Sequence, residues 1–171
     1  LLVGNGAAEL INVLGHRTKG RVIVSIPAFN EYVRCFAGCE IVTVDASVND
    51  YVSKPMEMLE QAVAGDTVVL VNPDNPSGQF VERDELLAFI AACGAKGVRC
   101  VVDESFADFA APDKRFSLLT ENVLEAYPWL VVVKSISKSY GVPGLRLGVI
   151  ASADRALLQQ MRDAMPIWNI N

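Results

Sequence analysis

The chain has 171 residues, 51% of them apolar and 20% charged, with a formal net charge of -5. That length supports one domain with its own core, and the acidic balance with scattered Lys and Arg argues against nucleic acid as a partner. The β-branched runs at 22–26, 68–71 and 130–133 are far too short to span a bilayer.

Short β-branched runs alternate with helical patterns from end to end, which predicts a parallel sheet covered by helices. In chain order the pattern gives a helix over 7–18, a strand over 21–26, a helix over 29–37 and a strand over 40–45. A helix over 55–64, a strand over 67–72, a helix over 82–95 and a strand over 98–103 follow. The remainder reads as a short helix near 121–126, strands over 129–134 and 145–150, and a helix over 152–165. Helix 82–95 illustrates the reasoning. Leu86, Leu87, Phe89, Ile90 and Cys93 gather on one face, while Glu82, Arg83, Asp84 and Glu85 crowd a first turn whose macrodipole favours acids. The expected fold class is α/β, a mostly parallel sheet with helices on both faces, as one domain over 1–171. No strand runs into a Gly-x-Gly-x-x-Gly turn, which argues against a dinucleotide-binding domain.

Cys35 and Cys39 are four apart on a stretch read as helical, and the single His16 lies elsewhere. A zinc site would need a second close pair, and Cys93 and Cys100 do not supply one. The four cysteines read as buried free thiols of a reducing, cytoplasmic compartment, with no metal expected. No signal-peptide pattern is visible.

Two strands end in polar residues unsuited to a core. Strand 67–72 runs into Asn72-Pro73-Asp74-Asn75-Pro76-Ser77-Gly78, and strand 98–103 into Asp103-Glu104. In open parallel sheets ligands bind beyond the carboxyl ends of strands. Asp103 is costly to desolvate there unless a cation or a helix cap satisfies it. Asn75 between two prolines marks a rigid turn, structural or ligand-binding, with a cis bond as one option. Gly4-Asn5-Gly6-Ala7-Ala8-Glu9 before a helical pattern would bare the N–H groups of a helix start, a seat for phosphate. Finally, Ser135-Ile136-Ser137-Lys138-Ser139-Tyr140-Gly141-Val142-Pro143-Gly144-Leu145-Arg146 follows a strand directly. Its hydroxyls, glycines and guanidinium fit an anion site as well as they fit a surface turn.

Taken together and in order, these motifs resemble those of fold-type-I pyridoxal-phosphate enzymes of the class I/II aminotransferase superfamily. The run 72–78 is similar to the superfamily's Asn-Pro-x-Asn-Pro-Thr-Gly, Asp103-Glu104-Ser105-Phe106 to Asp-Glu-Ala-Tyr, and 135–146 to Ser-x-Ser-Lys…Gly-x-Arg. Within it, the resemblance is strongest to histidinol-phosphate aminotransferases and threonine-phosphate decarboxylases. It implies pyridoxal 5'-phosphate as cofactor, held by Lys138 as an internal aldimine, with the freed amine later serving as general base. Asp103 would pair with the pyridine nitrogen and Asn75 with the ring's 3-oxygen. Phe29 would stack on the ring. Ser135, Ser137, Arg146 and backbone N–H groups around Gly6, Ala7 and Ala8 would hold the phosphate. The chain would be most of the cofactor-binding large domain, without the family's N-terminal arm and C-terminal small domain, and would act as a homodimer on a small amino donor and a keto acid.

Phe106 departs from the motif's tyrosine and cannot donate to the 3-oxygen. This change and the stretch Trp168-Asn169-Ile170-Asn171 resemble the decarboxylase branch as much as the aminotransferase branch. The leading expectation is an aminotransferase, acting on an amino acid or amine that can carry phosphate or phosphonate. A decarboxylase of a phosphorylated amino acid stands second. A non-catalytic cofactor-sensing regulatory domain stands third.

Overall fold

The computed structural model describes residues 1–167 and 170, so Trp168, Asn169 and Asn171, and with them the decarboxylase-like terminal stretch, lie outside the described residues. Seven strands form one sheet: β1 (Leu2–Asn5), β2 (Arg21–Ile26), β3 (Glu40–Asp45), β4 (Thr67–Val71), β5 (Arg99–Asp103), β6 (Leu130–Ser135) and β7 (Leu147–Ala151). Their order across the sheet is β1-β7-β6-β5-β4-β2-β3. Pairings among β2 to β6 are parallel, whereas β7 runs antiparallel to both β6 and β1. The helices are α1 (Ala7–Arg17), α2 (Asn30–Cys35), α3 (Pro55–Gln61), α4 (Arg83–Ala95), α5 (Glu121–Ala126), α6 (Ile136–Ser139) and α7 (Arg155–Ala164).

Alternation along the central strands divides the core in two. Val101, Val131 and Val133 join Leu10, Leu14 and Met161 in one buried cluster. Cys100, Val102, Leu130 and Val132 join Met58, Phe89 and Ile90 in the other. Both faces of the sheet are therefore covered, which is why β5 and β6 each carry an unbroken apolar run, 100–102 and 130–133. Cys100 and Cys93 are fully buried. Cys35 closes α2, while Cys39 lies beyond the helix and reaches the Thr18 carbonyl.

The strand expected over 145–150 begins later. Pro143–Leu145 form a single tight turn and Arg146 adopts a left-handed conformation (φ 48) before β7 starts. The sequence reading missed β1, four residues with a glycine among them, too short for alternation to register. Its placement matters. Two successive antiparallel pairings return β1 to the direction of β6, so Asn5 ends beside Leu147 while Ser135 ends beside Gly148. The ends of β1 and β6 and the start of β7 thus meet near Arg146.

Candidate functional site

Around that convergence lies a cavity of about 160 Å³. Asp103, Ser135, Ser137, Lys138 and Arg146 line it, with Ala7, Ala8 and Phe29 on its other walls. The topology therefore brings together most of the residues picked out from the sequence.

Asp103 ends β5 and is 3% exposed. Its Oδ1 accepts the Ser105 N–H at 2.8 Å and its Oδ2 accepts the Tyr32 hydroxyl at 2.8 Å. Among the described residues it makes no salt bridge. A buried carboxylate bonded only by neutral donors suits a cationic group brought in from outside.

Lys138 sits in α6 with its Nζ 4.1 Å from the Phe106 ring centroid and 5.7 Å from that of Phe29. Partial burial pushes its ammonium below the usual lysine range; the Asp103 charge opposes that fall and Arg146 adds to it. The amine is thus biased toward its neutral, nucleophilic form.

The anion cradle begins at Gly6, whose φ of 82 and ψ of 161 form a conformation reserved for glycine. A Cβ there would stand 2.8 Å from the Arg146 guanidinium, and one on Gly148 only 2.2 Å from the Ala7 nitrogen. Absent side chains let Arg146 and β7 close against the start of α1, where free N–H groups and the helix dipole favour negative charge. Ser137 does more than line the cavity. Its Oγ accepts the Leu147 N–H at 2.9 Å and so pins the loop carrying Arg146.

Asn75 lies next to this cavity, on the far side of Phe106 from Lys138. It borders a neighbouring cavity of about 480 Å³, with Phe106 between the two. The peptide bonds before Pro73 and Pro76 are both cis.

Three residues were missed. Tyr32 was one, although its place three positions after Phe29 on a helix was a usable signal. Ser105 was another: its Oγ accepts the Ser135 N–H at 2.8 Å, and it stands where the motif has alanine. The third, Lys134, forms a shielded ion pair with Asp108 at 2.9 Å; nothing in sequence spacing signals that pair. Glu104 does not face the cavity. It accepts the Ser117 hydroxyl at 2.6 Å and the Leu118 N–H at 2.9 Å, and burial pushes its carboxyl above the usual range.

Comparison with known proteins identifies the family and the fold. The family described as Aminotransferase class I and II matches residues 1–170. The chain is 33% identical to an L-serine phosphate decarboxylase of Sulfurospirillum multivorans, over 100% of this chain and 45% of that protein. It is 32% identical to a threonine-phosphate decarboxylase of Salmonella typhimurium, over 100% of this chain and 47% of that protein. A crystal structure of the histidinol-phosphate aminotransferase from Clostridium acetobutylicum superposes with a TM-score of 0.85 at 21% identity, over 99% of this chain and 50% of that one, which establishes the fold. The chain thus spans about half the length of these relatives. By sequence match along almost its whole length and by fold, the chain belongs to the aminotransferase class I and II family, whose members use pyridoxal 5'-phosphate.

Proposed function

We propose that the whole protein is a pyridoxal-phosphate enzyme that removes the carboxylate from an amino acid bearing a phosphate or phosphonate. The observation that carries the cofactor reading is Asp103, a buried carboxylate that makes no salt bridge among the described residues, on the same small cavity as Lys138 and the Arg146–α1 cradle. The donor set fits the group at both ends: a carboxylate for a protonated ring nitrogen, and a guanidinium with helix-start N–H groups for a phosphate.

When bound, the cofactor supplies an electron sink for charge developing at the substrate α-carbon. Asp103 would hold the ring-nitrogen proton, and Phe29 would cover a ring face. Asn75 would reach the 3-oxygen, with no phenol at Phe106 to share that task. Arg146, Ser135, Ser137 and the N–H groups of Ala7 and Ala8 would hold the phosphate, whereas the Gly6 N–H, also expected there, is already donated to the Gly4 carbonyl at 2.8 Å. Lys138, its ammonium destabilised by burial, would tether the cofactor and, once displaced by a substrate amine, carry a proton to or from the α-carbon.

The choice of bond rests on the two decarboxylases named above, each aligned with the full chain. Transamination is the second reading, favoured by the family match and by an amine at Lys138 suited to a proton shift. A homodimer belongs to either reading. Tyr140 and Leu145, 74% and 52% exposed and next in sequence to α6 and Arg146, fit a subunit interface.

Full-length protein incubated with L-serine phosphate or L-threonine phosphate separates the readings. Release of carbon dioxide with the matching amine, and no keto acid, supports decarboxylation. A new keto acid formed only when 2-oxoglutarate is present supports transamination. Neither product from either substrate overturns the leading reading.

A further inference from the structure

We infer that Tyr32 is a positioning residue for this site: its hydroxyl donates to Asp103 and holds that carboxylate turned toward the cofactor's ring nitrogen. The inference rests on the cofactor reading above and deepens it.

Tyr32 lies in α2 and is 1% exposed. Its ring packs edge-on to Phe29 (centroids 6.2 Å apart, planes at 75°) and tilted against Phe36 (6.2 Å). Phenylalanine would fill this space equally well. A hydroxyl sunk among aromatic rings costs desolvation unless a partner repays it, and the partner is Asp103 Oδ2 at 2.8 Å. Burial pushes the phenol well above its usual range, and the Asp103 charge pushes it the same way. Tyr32 therefore stays protonated and acts as the donor.

The two oxygens of Asp103 are held from different directions, Oδ1 by the Ser105 N–H and Oδ2 by Tyr32. Two donors on two oxygens fix the carboxylate plane while leaving lone pairs free for a ring N–H. A carboxylate already supplied with two donors draws less strongly on a third, so a proton shared with the ring would stay on the nitrogen, where the electron sink needs it. Because Tyr32 touches Phe29 as well, one side chain sets both the partner of the ring nitrogen and the aromatic wall beside the ring.

The test uses full-length protein loaded with cofactor labelled with ¹⁵N in the pyridine ring, comparing wild type with Tyr32→Phe and Asp103→Asn. Tyr32→Phe should keep a visible band sensitive to borohydride and bind cofactor about tenfold more weakly. Its ring-nitrogen resonance should move toward that of neutral pyridine. A packing role alone would leave that resonance in place, since the aromatic ring is retained. If Tyr32→Phe does not fold, 3-fluorotyrosine at position 32, a stronger donor of the same shape, should move the resonance the opposite way. An unchanged resonance in whichever of the two variants folds overturns the inference. Wild type that binds no cofactor brings down both readings. Binding lost in Asp103→Asn but untouched in Tyr32→Phe brings down this one only.

Discussion

The Ser135 N–H donates to the Ser105 hydroxyl at 2.8 Å, and the Ser105 N–H in turn donates to Asp103. One serine therefore ties the ends of β5 and β6 together beneath the cavity. Ser105→Ala would leave the buried Ser135 N–H without its acceptor, at a cost of about 1–3 kcal/mol. The bond to Asp103 survives, because it comes from the backbone. Urea unfolding should show a lowered midpoint with an unchanged slope.

Gly6→Ala places a side chain on a residue at φ 82, facing the Arg146 guanidinium. The conformational strain alone is about 1–3 kcal/mol. Arg146 must also move away from the start of α1. Both lower stability and weaker binding of inorganic phosphate are expected, measurable by thermal unfolding and by calorimetry.

Lys138 gives a pH dependence whose sign can be worked out. Burial lowers its folded-state pKa, so the charged form costs stability in the folded chain. The penalty is complete at low pH. It fades as pH rises from the folded value toward the unfolded value of about 10.4. In protein without cofactor, Lys138→Met should therefore gain stability relative to wild type near neutrality, and part of that gain should vanish in alkali. Denaturant titrations at a series of pH values check this.

Lys134 is shielded, whereas its partner Asp108 is about half exposed. Removing the acid leaves a shielded ammonium without its ion partner, and solvent at Asp108 tempers the loss. Asp108→Asn should destabilise by about 1 kcal/mol, and Lys134→Met by less, since its stem is already packed. A comparison of the two by urea unfolding tests the asymmetry.

The legible parts of this protein are those with local chemistry. β5 and β6 announced themselves because burial on both faces makes 100–102 and 130–133 unbroken apolar runs. Asp103 and Lys138 became legible through the order of the motifs that hold them, because each alone read as well as a helix cap or a surface turn. β1 was not, since four residues carry no period, and without it the meeting of Gly6 with Arg146 could not be foreseen. Tyr32 and Asp103 are 71 positions apart, so only the parallel sheet, which sets the end of β2 near the end of β5, brings them together. Asn75 was recognisable by motif, and its turn sets it beside Phe106 on the adjoining cavity.

The central claim is that Lys138 carries the cofactor, and one measurement tests it directly. Purified full-length protein is incubated with pyridoxal 5'-phosphate, treated with borohydride, digested and analysed by mass spectrometry. A visible absorption band that borohydride abolishes, followed by a single phosphopyridoxyl label on Lys138 that is missing from Lys138→Ala, is the predicted result. No band, or a label spread over other lysines with Lys138 unmodified, would contradict the account.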